Sequence, residues 1–356
     1  MPRLVLHAGL PKTGSTSIQR FLDANAEALS RQGVMFRPTP DRRGRREHNF
    51  LAMAFWKRVQ RIYADRYGDD LERLQQDSLK AWDGLLDEFR RSDNGTLLIS
   101  GEFFTRSAAA SFAEFADEHL ADFDITVLFY LRQPSSHYVS WLQQHLKGSN
   151  KMMPFGRKRS HWARRLRMWS KVGDVVVREF SRSTLVGGDV IDDFASVIGV
   201  DISGFDRPAD ANESISAEGM DLVLEHRRLH WPTGRDRIMP ESLDLINRIR
   251  DIETRLADEV RFTPARLRPE LAAYLDSDVE ELTKLDRSVG FRYAAIGDPA
   301  EVTSSGDPEM LEGRVFESLD QLMTIDPAVR ARLRSELVAA GVGLGPHPAA
   351  TSAPER

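Results

Sequence analysis

The chain has 356 residues, with 54 acidic against 49 basic side chains and a formal charge of −5 at neutral pH, a globular composition long enough to bury a large core. It holds no cysteine, which excludes disulfides, thiol catalysis and Cys-ligated metal or iron–sulfur centres. No apolar run approaches the roughly 18–20 residues of a membrane-crossing helix, and the first residues lack an apolar secretory core, so the reading is a cytoplasmic protein without an integral membrane segment.

Arg3–His7 (RLVLH) is an apolar run that ends in a Gly/Pro/Ser/Thr-rich turn. Beyond it Ile18, Phe21, Leu22, Ala28 and Leu29 recur at helical spacing, with Asn25 as a break and Gly33 as a stop, which reads as strand, loop, helix. A short strand is expected at Val34–Phe36, then helices at Asn49–Ala64 and Leu71–Arg91. A buried strand follows at Thr96–Ser100, a helix at Ala108–Leu120, a strand at Ile125–Leu131, a helix at Ser135–Lys147 and a strand at Asp174–Phe180. After Ser214 the strand signal ends, and Ser216–Leu229, Glu241–Val260, Pro269–Val289 and Pro327–Ala340 carry helical patterns. This order predicts an α/β fold: a P-loop-like three-layer core with a parallel sheet flanked by helices, plus a helical C-terminal extension. The expected divisions are a core over 1–213, a helical extension over 214–295 and a loop-rich tail with one helix over 296–356.

The turn after the first strand reads Gly9-Leu-Pro-Lys12-Thr13-Gly14-Ser15-Thr16-Ser17. A strand-to-helix turn of this kind aims main-chain N–H groups and a helix dipole at one spot, while the three hydroxyls and Lys12 add donors and a mobile charge. It is built for an anion. With only eight lysines in the chain, one inside this turn carries weight. The nucleotide-triphosphatase form G-x4-G-K-[ST] needs lysine directly after the second glycine, where this chain has Ser15, and its lysine lies two residues before Gly14.

The segment resembles the 5′-phosphosulfate loop of sulfotransferases that use 3′-phosphoadenosine 5′-phosphosulfate (PAPS), whose usual form is P-K-[ST]-G-[ST]-[ST]. The resemblance implies that Lys12, Thr13, Gly14, Ser15, Thr16 and Ser17 hold the 5′-phosphate side of the nucleotide, and that Lys12 offsets charge on the leaving oxygen. A second anion site should then follow a later strand. Arg132-Gln-Pro134 and Ser140 match the R-x-P-x5-S pattern, most closely that of heparan-type members, and would hold the 3′-phosphate. Many of those members carry arginine where this chain has His137. Asn212-Glu-Ser214-Ile-Ser216 resembles a segment that follows the core in bacterial members.

Transfer to a hydroxyl or amine also needs a group to take the acceptor's proton. Glu102, just past a buried strand through Gly101, stands where heparan-type enzymes carry a catalytic glutamate, although the lysine that commonly follows is Phe103 here. His48, in Glu47-His48-Asn49, is the rival base. His226 and His230 lack an H-E-x-x-H context, and no metal is expected.

Lys151–Arg182 holds ten basic against two acidic residues, and Arg42, Arg43, Arg45 and Arg46 cluster beside His48. Such patches suit an anionic nucleotide and an acidic glycan, or act as solvated helix faces. No groove-reading or base-stacking motif points to nucleic acid. The expected function is a sulfotransferase moving a sulfuryl group from PAPS to a hydroxyl or amine, with PAP (3′-phosphoadenosine 5′-phosphate) as by-product and a glycan or lipid as acceptor. The alternatives are a P-loop kinase using ATP–Mg²⁺, or a non-catalytic anion-binding protein of the same fold.

Overall fold

A computed structural model describes residues 1–40, 46–106, 109–156, 162–208, 214–233, 237–276 and 311–344. In chain order its elements are β1 (Arg3–His7), α1 (Ser15–Ala24), α2 (Ala26–Arg31), β2 (Val34–Met35), β3 (Thr39–Pro40), β4 (Arg46–Glu47), α3 (Asn49–Ala52), α4 (Ala64–Tyr67), α5 (Leu71–Arg90) and β5 (Thr96–Ser100). There follow α6 (Ala109–His119), β6 (Asp124–Leu131), α7 (Pro134–Leu146), α8 (Trp162–Trp169), β7 (Asp174–Glu179), α9 (Val190–Ile198), α10 (Ala217–His230), α11 (Pro240–Arg255) and α12 (Pro269–Asp276). A last helix covers Pro327–Ala339.

The described parts of Met1–Gln133 and His161–Ala211 form one compact unit around a parallel sheet of order β2-β5-β1-β6-β7. Its central strands are continuous apolar runs because both faces are covered. On one face Leu4, Leu6, Leu97, Ile99, Val127 and Phe129 pack with Trp82, Phe112 and Trp169 from α5, α6 and α8. On the other Val5, Leu98, Leu128 and Tyr130 meet Ile18, Phe21, Leu22 and Phe194 from α1 and α9. Each such large side chain contributes roughly 1.5–3 kcal/mol through burial. The register sets His7 of β1 beside Ser100 of β5 and Leu128 of β6, and Leu131 beside Glu179 of β7, so the loops that follow β1, β5 and β6 leave from one edge of the sheet. Open parallel sheets carry their sites at that edge.

The second compact unit is helical and is assembled from the described parts of Pro134–Ser160, Asn212–Ser277 and Pro299–Arg356. Leu142 and Leu146 of α7, Met220 and Leu224 of α10, Ile246 and Ile249 of α11, and Leu333 and Leu337 of the last helix share its core. The division therefore runs differently from the expected boundary at residue 213: α7 clusters with the helices, and so does the helix expected in a separate tail. The cause is the apolar face of α7, which finds its partners among α10 and α12. Among the described residues, no helix is long and apolar enough to cross a membrane.

Several elements depart from the sequence reading, the short antiparallel pair β3–β4 among them. The helix expected over Asn49–Ala64 is α3, a 3₁₀ turn at Met53–Phe55, and then α4. The chain turns extended at Trp56, whose indole N–H donates to the Phe103 carbonyl at 3.2 Å and whose own carbonyl accepts from Gln75 at 2.8 Å. Tertiary hydrogen bonds override the local helical pattern there. The stretch read as a basic patch holds α8, which buries Leu166 and Trp169 and leaves Arg164 and Arg167 exposed as a solvated face. Helix α9 was not expected, although Asp189 caps its start by accepting from Ile191 N at 2.7 Å and Gly199 ends it in the left-handed region. The rest of the helix expected to Val289, the segments 292–310 and 345–356, Arg42, Arg43, Arg45 and Asn212 lie outside the described residues.

Candidate functional site

The loop between β1 and α1 carries the anion-binding motif. Thr13 folds back on it, its Oγ1 donating to the Leu10 carbonyl at 2.8 Å. Lys12 adopts a φ of 71° and Gly14 a φ of 76°, and Lys12 is the only non-glycine residue with positive φ among the described residues. Gly14 then opens α1, and no side chain caps the helix. No acidic residue stands in its first turn either. The N–H groups of Ser15 and its successors thus face outward with the positive end of the helix dipole behind them. Ser15 is buried, Thr16 is exposed and Ser17 is half-buried.

Glu102 reaches this helix start. It opens a 3₁₀ turn, Glu102–Arg106, directly after β5 and Gly101, and its Oε1 accepts a short hydrogen bond from Ser15 Oγ. Gly101 allows the approach, because a Cβ there would lie 3.1 Å from Asn49 Oδ1 and 3.2 Å from the His48 carbonyl carbon. Asn49 Oδ1 also accepts from Phe103 N at 2.9 Å, and Thr105 Oγ1 donates to the Glu102 carbonyl at 2.7 Å. The turn that carries the carboxylate is pinned from both sides.

Lys12 senses the charges of both Glu102 and Arg132. Burial pushes the Lys12 ammonium below its ordinary range, Glu102 opposes that shift, and Arg132 adds to it. Arg132 follows β6, and its Nη1 donates to the Lys12 carbonyl at 3.4 Å. Its guanidinium lies over the Phe180 ring, 5.8 Å from the centroid, and burial lowers its pKa. Ser140, expected to act with Arg132, lies two turns into α7, half-buried in the helical unit. His137 is buried on the same helix and accepts from Trp141 Nε1 at 3.2 Å.

His48 is fully buried and both its ring nitrogens serve the main chain. Nδ1 accepts from Ser100 N at 3.1 Å, so Nε2 carries the proton and donates to the Arg37 carbonyl at 3.1 Å. Burial lowers its pKa to about 4, against the opposing effect of those two hydrogen bonds. His48 N also donates to the Ser100 carbonyl at 2.8 Å, so the residue clamps the end of β5 just before Glu102.

Beneath the loop sits a polar cluster that sequence reasoning missed. His7 is fully buried, its Nδ1 lies 2.8 Å from Ser100 Oγ, and Gln19 Nε2 donates to the same hydroxyl at 3.3 Å. His7 Nε2 has no hydrogen-bond partner, and burial drops the ring's pKa to about 3. A polar side chain ending an otherwise apolar strand was the available signal. Phe180, read only as the end of a strand, packs on Gly14, where an added Cβ would come 2.8 Å from its Cε2.

The structure therefore brings Lys12, Thr13, Gly14, Ser15, Glu102 and Arg132 together and places His48 behind Glu102. Among the described residues no three His, Asp or Glu side chains form a group able to hold a metal ion. No family model matches the chain, and comparison with curated proteins and with solved structures returns no match either.

Proposed function

We propose that the chain is a PAPS-dependent sulfotransferase whose sheet unit has the P-loop-like form expected from the sequence. The observation that carries the reading is the convergence of Lys12, Ser15, Glu102 and Arg132 at the uncapped start of α1. Two cations, outward N–H groups and a glycine with no room for a side chain fit a phosphate-bearing nucleotide, and one carboxylate beside them fits a proton acceptor.

The residues divide the work as follows. Main-chain N–H groups from Gly14 to Ser17 and the Ser15, Thr16 and Ser17 hydroxyls hold the 5′-phosphate side, with Arg132 for the 3′-phosphate. PAPS supplies a sulfuryl group bound to a good phosphate leaving group. Lys12 stands where negative charge grows on the leaving side and stabilises it, an effect larger in the transition state than in the ground state. Glu102 takes the proton of the attacking hydroxyl or amine at its carboxylate, and Ser15 together with the pinned turn holds that carboxylate in place. His48, with both nitrogens committed to the main chain, supports the end of β5 and does not exchange the acceptor's proton. The acceptor in this reading is a glycan or lipid bearing a hydroxyl or amine, a class that basic patches suit.

Calorimetric titration with PAP, adenosine 5′-phosphate and ATP–Mg²⁺ tests the reading. PAP should bind without metal about 10- to 100-fold more tightly than adenosine 5′-phosphate, the worth of a charge-assisted contact to the extra phosphate. Glu102→Gln should keep PAP affinity and lower sulfuryl transfer by roughly two to four decades. Preference for ATP–Mg²⁺ would replace the reading with a kinase, and PAP binding without transfer to any acceptor would leave an anion-binding protein.

A further inference from the structure

Arg132 and the loop are joined by a third group. The Phe180 ring fills the space above Gly14 that a side chain would need, with Cε2 2.8 Å from the place of a Cβ. The same ring lies under the Arg132 guanidinium, 5.8 Å from centroid to Cζ. Phe180 is itself fixed by its main chain, whose N–H donates to the Leu131 carbonyl at 2.6 Å, one residue before Arg132. Arg132 in turn donates to the carbonyl of Lys12, whose left-handed backbone turns that oxygen toward it. The contacts close a ring: Gly14 to Phe180, Phe180 to Arg132, Arg132 to Lys12, and two residues of chain back to Gly14.

We infer that Phe180 is a positioning residue that couples the 5′-phosphate loop to the 3′-phosphate arginine, so that nucleotides with both phosphates are preferred over those with one. The inference rests on the nucleotide reading proposed above. A guanidinium carries several rotatable bonds, and without a ring face under it Arg132 is free to leave the direction in which the second phosphate is met. The ring also closes the space in which Gly14 would otherwise shift. Phe180 touches no nucleotide in this scheme and acts through Arg132 and Gly14.

The test is the ratio of PAP to adenosine 5′-phosphate affinity, measured by calorimetry on the full chain. In Phe180→Leu, which keeps an apolar side chain and loses the ring face, the ratio should fall by about three- to tenfold. Phe180→Met serves the same purpose should the leucine variant fail to fold. Phe180→Tyr restores the ring and should restore the ratio. In an Arg132→Met background the same Phe180→Leu change should leave the ratio where Arg132→Met alone put it, which a loss of general packing would not do. A wild-type preference for PAP that survives Phe180→Leu undiminished, or an equal fall in both backgrounds, overturns the inference alone. A wild-type ratio near one overturns the nucleotide reading and this inference with it.

Discussion

His48 and His7 are neutral rings enclosed by the fold, and that state has a cost in acid. Their pKa values are lowered from 6.5 to about 4 and about 3, mainly by burial. As pH falls below 6.5 the unfolded chain takes up protons that the native rings refuse, so stability present above pH 6.5 is lost down to the folded values. Each ring should contribute a slope of about 1.4 kcal/mol per pH unit below 6.5. Urea unfolding at pH 7.5 and 5.5 checks this: His48→Gln should be less stable than wild type at pH 7.5 but lose less on acidification, and an unchanged pH dependence would contradict the assignment. Lys12 and Arg132 were legible as candidates because a phosphate turn and a strand-end arginine are local patterns, and Glu102 because it stands just past a buried strand at the place the resemblance marks. His7, Ser100 and Phe180 were not, because what they touch depends on which strands are neighbours in the sheet.

The turn into α1 shows a local conflict settled by the rest of the fold. Lys12 holds a backbone conformation that glycine adopts freely and other L-residues adopt at a cost of roughly 1–2 kcal/mol. Lys12→Gly should therefore leave the chain as stable as wild type, or up to about 1 kcal/mol more stable, while the sulfuryl transfer proposed above falls. Thermal unfolding and a transfer assay on the same sample read both effects. Gly14→Ala goes the other way, since a Cβ meets Phe180 and Val190 at 2.8 and 3.1 Å and φ is 76°. A loss of about 2 kcal/mol or more is expected from strain and clash together, smaller when Phe180 is Leu as well. Elements with a continuous apolar run were readable, as β1 and β5 show, and so was the break at Asn25, whereas α9 was missed although Asp189 and Gly199 cap its two ends. The Asn25 amide donates to the Phe21 and Asp206 carbonyls, both at 2.8 Å. The interruption at Trp56 was not readable, because its partners Phe103 and Gln75 are distant in sequence.

At the scale of the molecule, the alternation of strands and helices foretold a parallel sheet covered on both faces, but not its order β2-β5-β1-β6-β7 or the membership of α7. The helical unit adds a charged cluster to its apolar core. Arg330 of the last helix pairs with Asp221 at 2.6 Å and with Glu225 on α10, and Arg334 pairs with Glu225 at 3.1 Å. Burial raises the Asp221 pKa while Arg330 opposes it. Arg330→Ala leaves two part-buried carboxylates facing each other, and a loss of about 1–3 kcal/mol is expected near neutral pH. The deficit should shrink as acid protonates Asp221, and denaturant unfolding at two pH values measures it.

The two units are interleaved along the chain, and this sets an order in time. A ribosome delivers β1, β5 and β6 first, then the α7 segment, and only afterwards β7, the strand at the end of the sheet beyond β6. Tyr138, Leu142 and Leu146 of α7 emerge about seventy residues or more before α10 begins, and the last helix, with Leu333 and Leu337, arrives later still. For that interval an apolar helix face waits without its partners. The nascent chain is thus a natural client for a holdase during the second half of its synthesis, and the burden falls on the helical unit rather than on the sheet that carries the candidate site.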